Sequence, residues 1–178
     1  MIKRFGISGI IFIAIIILRL SIWILNYFHV YLQFQYQFNP LLNMIIIIAG
    51  LRFALKKVRD SLIKRLVIGL AILCTYTTIA GWWLLHSDDN YIYFTSPDKN
   101  EKFVIIENAH SELYQISRYG MFIFHLTNIN GNNGYRMFSD KKFFIRWIEP
   151  NQFTVIYVND YTNPNQFKEV TVTYTNYK

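Results

Sequence analysis

Three apolar stretches occupy most of the first 86 residues, each long enough to cross a lipid bilayer, and together they exclude a single water-soluble globule. They run from about Phe5 to Phe28, from Tyr36 to Leu55 and from Leu66 to His86. At ~1.5 Å of rise per residue, twenty helical residues cover the ~30 Å hydrocarbon core. The first stretch carries one charge, Arg19, and the third meets none before Asp88. The second is interrupted by Asn39, Pro40 and Asn43, with its apolar heart at Met44 to Leu51. Three transmembrane helices are therefore expected, in a membrane domain over residues 1–87. The first is too long in its apolar region for a cleaved signal peptide and is followed by no small-x-small site, so it is read as an uncleaved anchor.

Charge settles the expected orientation. Residues 1–87 hold nine Lys/Arg against one acid, Asp60, a net of +8. Residues 88–178 hold nine against ten, a net of −1, and the two halves recover the +7 of the whole. The basic excess thus belongs to the membrane half, and no nucleic-acid partner is expected. Lys3 and Arg4 precede the first span, and Lys56, Lys57, Arg59, Lys64 and Arg65 lie between the second and third. The loop from His29 to Asn39 has no Lys or Arg. Short basic loops stay on the cytoplasmic side, so the N-terminus is expected inside and the C-terminal half outside. Trp23, Tyr27, Phe28 and Trp82-Trp83 then fall at the outer interface, where amphipathic rings prefer to sit.

Arg19 is the candidate functional residue of the membrane half, since charges inside a bilayer often line ion or proton paths. The simpler expectation is that it snorkels to the headgroups and stacks on Trp23, one turn away. Arg52 lies one turn from the basic loop and is expected to snorkel too. The single cysteine, Cys74, excludes a disulfide framework and a cysteine zinc site.

Beyond Asp88 the helical runs give way to alternation with turn residues every 8–12 positions, the pattern of a small antiparallel all-β domain, sandwich or partly open barrel, over residues 88–178. Strands are expected near Tyr91–Thr95, Lys102–Asn108, Glu112–Arg118, Met121–Thr127, Tyr135–Phe138, Lys142–Ile148, Phe153–Val158 and Glu169–Tyr177. Turns are expected at Ser96-Pro97-Asp98-Lys99-Asn100, at Tyr119-Gly120 and at Glu149-Pro150-Asn151-Gln152. The linker, Ser87 to Asn90, is about four residues long. The outer loop from Tyr31 to Phe38 alternates apolar residues with glutamine. It reads as a strand added to the C-terminal sheet, as an interfacial aromatic segment, or as a frayed helix start.

Chemistry is sparse. His29, His86, His110 and His125 show no ligand spacing, and HExxH is absent, so no metal and no cofactor are expected. Asp88-Asp89 reads as a solvated junction. Ser139, Asp140 and His125 supply the letters of a hydrolytic triad without a nucleophile elbow, and no catalytic residue is assigned. Tyr114, Tyr119, Tyr135 and Tyr161 form the candidate binding patch, against the plainer reading that tyrosine is simply common in strands.

The segments Tyr93 to Asn100, Val104 to Glu107, Gly134 to Ser139, Ile145-Arg146-Trp147 and Val155-Ile156-Tyr157 resemble small uncharacterised membrane-anchored proteins of Gram-positive bacilli with an extracytoplasmic all-β domain. The resemblance covers about residues 91–158 and rests on turns and core strands. It implies a bacterial cell-membrane protein with no assigned reaction and carries no site residues across.

The expectation is a non-enzymatic multi-pass membrane protein. Its partners would be the lipid bilayer and a protein or envelope component at the outer face, in an interaction, immunity or assembly role. The alternative is a small permease or channel subunit acting through its spans as a homo-oligomer, because three spans are few for a transporter.

Overall fold

The computed structural model describes residues 7–33, 35–108 and 110–175. The chain divides into two units. Helices α1 (Ile7–Tyr27), α2 (Gln35–Lys57) and α3 (Ser61–His86) belong to the first. His29–Gln33 joins the residues from Asp88 onward in the second, so the chain passes between units three times rather than once at residue 87.

All three helices are long and apolar enough to cross a membrane. Their large apolar side chains stay exposed, as for Ile17, Leu20, Ile48, Leu70 and Leu73, because the residues are apolar on all sides and have no shared interior to fill. Helix α2 packs against both α1 and α3. Phe12 and Phe53 stack across the α1–α2 contact with ring centroids 6.1 Å apart.

The helices overrun the expected spans of α2 and α3. Hydropathy marks the hydrocarbon, not the ends of the hydrogen-bonded ladder, and basic residues are good helix formers beyond it. Asp60, the lone acid of the basic stretch, explains the start of α3. Its Oδ1 accepts the Leu62 and Ile63 amide protons at 2.7 and 3.0 Å, an N-cap that leaves only Val58–Asp60 between helices. Helix α2 runs through Pro40, which lies near its start and so removes one hydrogen bond without dividing the span. Residues 5 and 6 of the expected first span lie outside the described residues.

The second unit is two antiparallel sheets. In the five-stranded sheet the order is β1 (Val30–Leu32), β5 (Phe122–Asn128), β4 (Ser111–Ile116), β3 (Lys102–Glu107), β2 (Asn90–Thr95). The three-stranded sheet runs β6 (Phe143–Glu149), β7 (Gln152–Asp160), β8 (Asn163–Thr173). One core joins them. Phe103, Ile105 and Leu113 from the larger sheet meet Phe153, Val155, Tyr157, Val172 and Tyr174 from the smaller. Phe103 is the hinge of this packing, 5.0 Å from the Phe153 ring and 4.9 Å from the Tyr174 ring.

The strand β1 is the added strand of the outer loop, shorter than its alternation suggests. Val30, Tyr31 and Leu32 pair with Phe124, Ile123 and Phe122, and from Gln35 the chain is already helix α2. Phe34, between the two, lies outside the described residues.

Two expectations are corrected. Tyr135–Phe138 is not a strand. A 3-10 turn at Asn132–Gly134 precedes it, and residues 137–141 turn on themselves, with Lys141 at φ 56°. The Glu107 carboxylate takes the Phe138 and Ser139 amide protons that a ladder would have used, at 2.9 and 2.6 Å. The last strand begins at Asn163 rather than Glu169. Pro164 sits at the start of an edge strand beside a bulge between Val158 and Asp160, where a missing N–H costs no ladder bond. Residues 176–177 of the expected strand lie outside the described residues.

Candidate functional site

Of the four tyrosines singled out by the sequence, the structure brings two together. The Tyr135 and Tyr161 rings meet edge to face, centroids 5.9 Å apart, over a cavity of about 400 Å³ that Asp140, Lys142, Val158 and Pro164 complete. Its parts come from three places in the chain. Tyr135 closes the 3-10 turn, its amide donating to the Asn132 carbonyl at 3.0 Å. Gly131 lets that loop fold tightly, since a Cβ there would lie 2.9 Å from the Tyr135 carbonyl oxygen. Asp140 and Lys142 lie on the turn into β6, and the Lys142 carbonyl accepts the Val158 amide at 3.0 Å.

Tyr161 stands at the tip of the β7–β8 hairpin. Asp160 holds that tip, accepting the Thr162 amide at 2.8 Å and the Thr162 hydroxyl at 2.7 Å. These bonds hold the Asp160 carboxyl below the usual carboxylate range, so it is charged at neutral pH. Burial pushes the Tyr135 hydroxyl up, and the hydrogen bond it donates to Asp140 adds to the shift. Tyr135 is therefore a neutral donor at neutral pH, fixed by its acid, while Tyr161 is 76% exposed. The cavity presents two aromatic faces, one acid and one base within a proline-edged rim. That is the equipment of a recognition surface, with polar groups for orientation and rings for contact area.

Tyr119 and Tyr114 lie elsewhere. Tyr119 is exposed on the β4–β5 turn, where the Gly120 amide donates to Ser117 O at 2.8 Å and Gly120 adopts φ 68°. Tyr114 is a correction, because it is 1% exposed and unavailable to a partner. Its hydroxyl donates to Glu112, and its ring lies 5.7 Å from Tyr31 and 5.4 Å from His125.

That second grouping escaped the sequence reading. The rings of His29, just before β1, and of His125 on β5 lie 6.0 Å apart, and His125 Nε2 sits 2.8 Å from Asn128 Oδ1. His29 takes a left-handed φ of 58° at the exit from α1. The signal for it is the alternation after Val30, which puts Tyr31 on the same face as Tyr114.

The triad letters are dispersed among other partners. His125 turns to Asn128, the Ser139 hydroxyl donates to Glu107, and Asp140 takes Tyr135. Asp88 faces Arg136 at 3.8 Å. Among the described residues, no group of three or more His, Cys, Asp or Glu is placed to share a metal ion.

In the helical unit, Arg19 does not stand alone. Its Nη1 donates to Asn39 Oδ1 on α2 at 2.6 Å, so the residue that interrupts the second apolar stretch is a partner for the charge in the first. Interhelical polar contacts in membranes couple by about 0.6 kcal/mol on average and up to ~2 kcal/mol. A double-mutant cycle of Arg19→Leu and Asn39→Leu, read by denaturant stability in micelles, should give a coupling of about 1 kcal/mol. Additive losses would show that the contact contributes nothing.

No protein-family model, no curated protein and no solved structure matches this chain.

Proposed function

We propose that this protein is a bacterial membrane-anchored recognition module. Three spans hold it in the lipid, and the β unit, outside the cell membrane, engages a protein or envelope partner through the Tyr135–Tyr161 cavity. The observation that carries this reading is the cavity itself. Two tyrosines far apart in sequence are assembled by a 3-10 turn and a hairpin tip, Tyr135 fixed by Asp140 and the tip that carries Tyr161 by Asp160. Tyrosine provides large contact area with little rotamer entropy to lose, which suits a binding surface better than a catalytic one. The orientation rests on the basic residues from Lys56 to Arg65 and on the uncharged α1–α2 connection.

The test is photo-crosslinking in intact cells with a benzoylphenylalanine residue replacing Tyr161 or, in parallel, Tyr119. Both positions are exposed, at 76% and 86%, so accessibility alone does not separate them. Position 161 should give a discrete adduct that Tyr135→Ala diminishes by about tenfold, as expected when an aromatic hot spot worth ~1.4 kcal/mol or more is lost. Position 119 should give none. Adducts at 119 alone, or none at 161, would overturn the assignment.

A further inference from the structure

A second cavity, of about 340 Å³, opens at the end of the β unit where two proline turns meet. The β2–β3 turn brings Pro97 and Asp98, the β6–β7 turn brings Glu149 and Pro150, and Trp147 on β6 and Tyr174 just past β8 close it from the smaller sheet. We propose that this cavity is a site for a quaternary ammonium group, taken by the Trp147 face and the carboxylates of Asp98 and Glu149.

The walls are preformed. The Trp147 ring is braced by Phe153, Phe103 and Tyr174, at centroid distances of 4.9, 5.9 and 6.2 Å. The Tyr174 hydroxyl donates to the Pro150 carbonyl at 2.5 Å, and the Tyr174 amide to the Asn151 carbonyl at 2.9 Å, which ties the strand to the turn. Across the cavity, Ser96 N donates to Glu101 O at 3.0 Å and Lys99 N to Ser96 O at 2.9 Å. A site that moves little on binding loses little affinity to ordering.

The lining selects charge sign. Among the described residues it holds two carboxylates and no Lys, Arg or His. The prolines bring no amide proton, and the Tyr174 proton is committed to Pro150. An anion finds no charged donor there, while a cation finds aromatic faces and two acids. Burial pushes the Tyr174 hydroxyl up, and the charges of Asp98 and Glu101 push it further, as expected of a negative local potential.

The same bonds favour a quaternary over a primary amine. Asp98 Oδ1 already accepts the Ser96 hydroxyl at 2.5 Å and the Asn100 amide at 3.3 Å, and Oδ2 accepts Asn100 Nδ2 at 2.7 Å. Asp98 therefore supplies field rather than hydrogen-bonding capacity. A quaternary ammonium needs field and apolar contact and has no proton to donate, which is the recognition that aromatic cages perform. The volume is at the small end for ligand pockets and suits a single headgroup-sized cation.

The experiment uses the full chain, labelled with fluorotryptophan, in nanodiscs of phosphatidylglycerol. The Trp147 fluorine resonance is assigned by its loss in Trp147→Phe. Choline should shift that resonance saturably, and its neutral carbon isostere, 3,3-dimethylbutanol, should bind at least about tenfold more weakly. Glu149→Gln, on an exposed turn, should weaken choline about fivefold without moving the other three tryptophan resonances. Nanodiscs containing phosphatidylcholine separate two sources of the same chemistry. Weaker apparent choline binding there identifies a lipid headgroup as the occupant, and unchanged binding a free cation. Equal response to the neutral isostere, or no saturable shift with choline, overturns the proposal. Crosslinking at position 161 reads a different cavity, so failure here leaves the Tyr135–Tyr161 assignment standing.

Discussion

Phe153→Ala should cost the β unit about 3–5 kcal/mol, the usual range for emptying an aromatic site in a core. A domain of this size has roughly 5–15 kcal/mol in all, so the variant should lie near its unfolding midpoint under mild denaturant. The size of the effect follows from position. Phe153 is fully buried and its ring meets Phe94 of β2, Phe103 of β3, Trp147 of β6 and Tyr174 just past β8, so both sheets contribute. Deleting it removes the contact through which the sheets share an interior, and rigid strands on both sides cannot collapse into the gap. Phe144→Ala, nine positions away on the opposite face of β6 from Trp147, is the comparison. Phe144 is exposed and should lose less than about 1 kcal/mol. Denaturant titration followed by the near-UV dichroism of the aromatic cluster distinguishes the two. A loss below about 1 kcal/mol for Phe153→Ala would mean that the two sheets do not depend on their common core.

Much of this architecture is legible in the sequence because it depends on period. Long apolar runs, the second of them interrupted by Asn39, Pro40 and Asn43, marked three helices, and alternation between turn residues gave seven of the eight strands their approximate places. Where the reading missed, side chains had taken over a task that backbone pattern cannot show. Tyr135–Phe138 alternates like a strand, but Glu107, 31 residues before Phe138, takes the amide protons of Phe138 and Ser139. The loop after α1 alternates over eight residues, but only Val30–Leu32 finds a partner strand before α2 begins. Asn39 looked like a flaw in a span and is instead the hydrogen-bond acceptor of Arg19. The site was legible only in residue type. Tyrosines could be named from composition, whereas the meeting of Tyr135 with Tyr161, and the burial of Tyr114, depend on long-range packing. The Trp147 cavity left no sequence signal beyond two proline turns, since what unites them is the closure of one sheet over the other.

Glu107 supplies the other large effect, through polar satisfaction rather than volume. It is 1% exposed at the end of β3 and, among the described residues, is a buried acid without a basic side chain among its hydrogen-bond partners. Its oxygens accept two backbone amides, Phe138 N at 2.9 Å and Ser139 N at 2.6 Å, and the Ser139 hydroxyl. The segment so held delivers Met137 and Phe138 to the core and leads directly into Asp140 and Lys142 of the tyrosine cavity. Glu107→Ala leaves two backbone donors without an acceptor, at about 1–3 kcal/mol each, so a loss on the order of 2–5 kcal/mol is expected. Glu107→Gln keeps one acceptor oxygen and points an N–H at a donor, and should fall between. Ser139→Ala keeps both backbone bonds and should cost only about 0.5–1.5 kcal/mol. Denaturant stability of the three variants tests that order. If Ser139→Ala cost as much as Glu107→Ala, the carboxylate would be serving the hydroxyl and not the backbone. The order also predicts a functional consequence, because the turn that Glu107 holds sets where Asp140 meets the Tyr135 hydroxyl. Glu107→Gln should therefore weaken crosslinking at position 161 while the Trp147 cavity, built from other turns, keeps its response to choline.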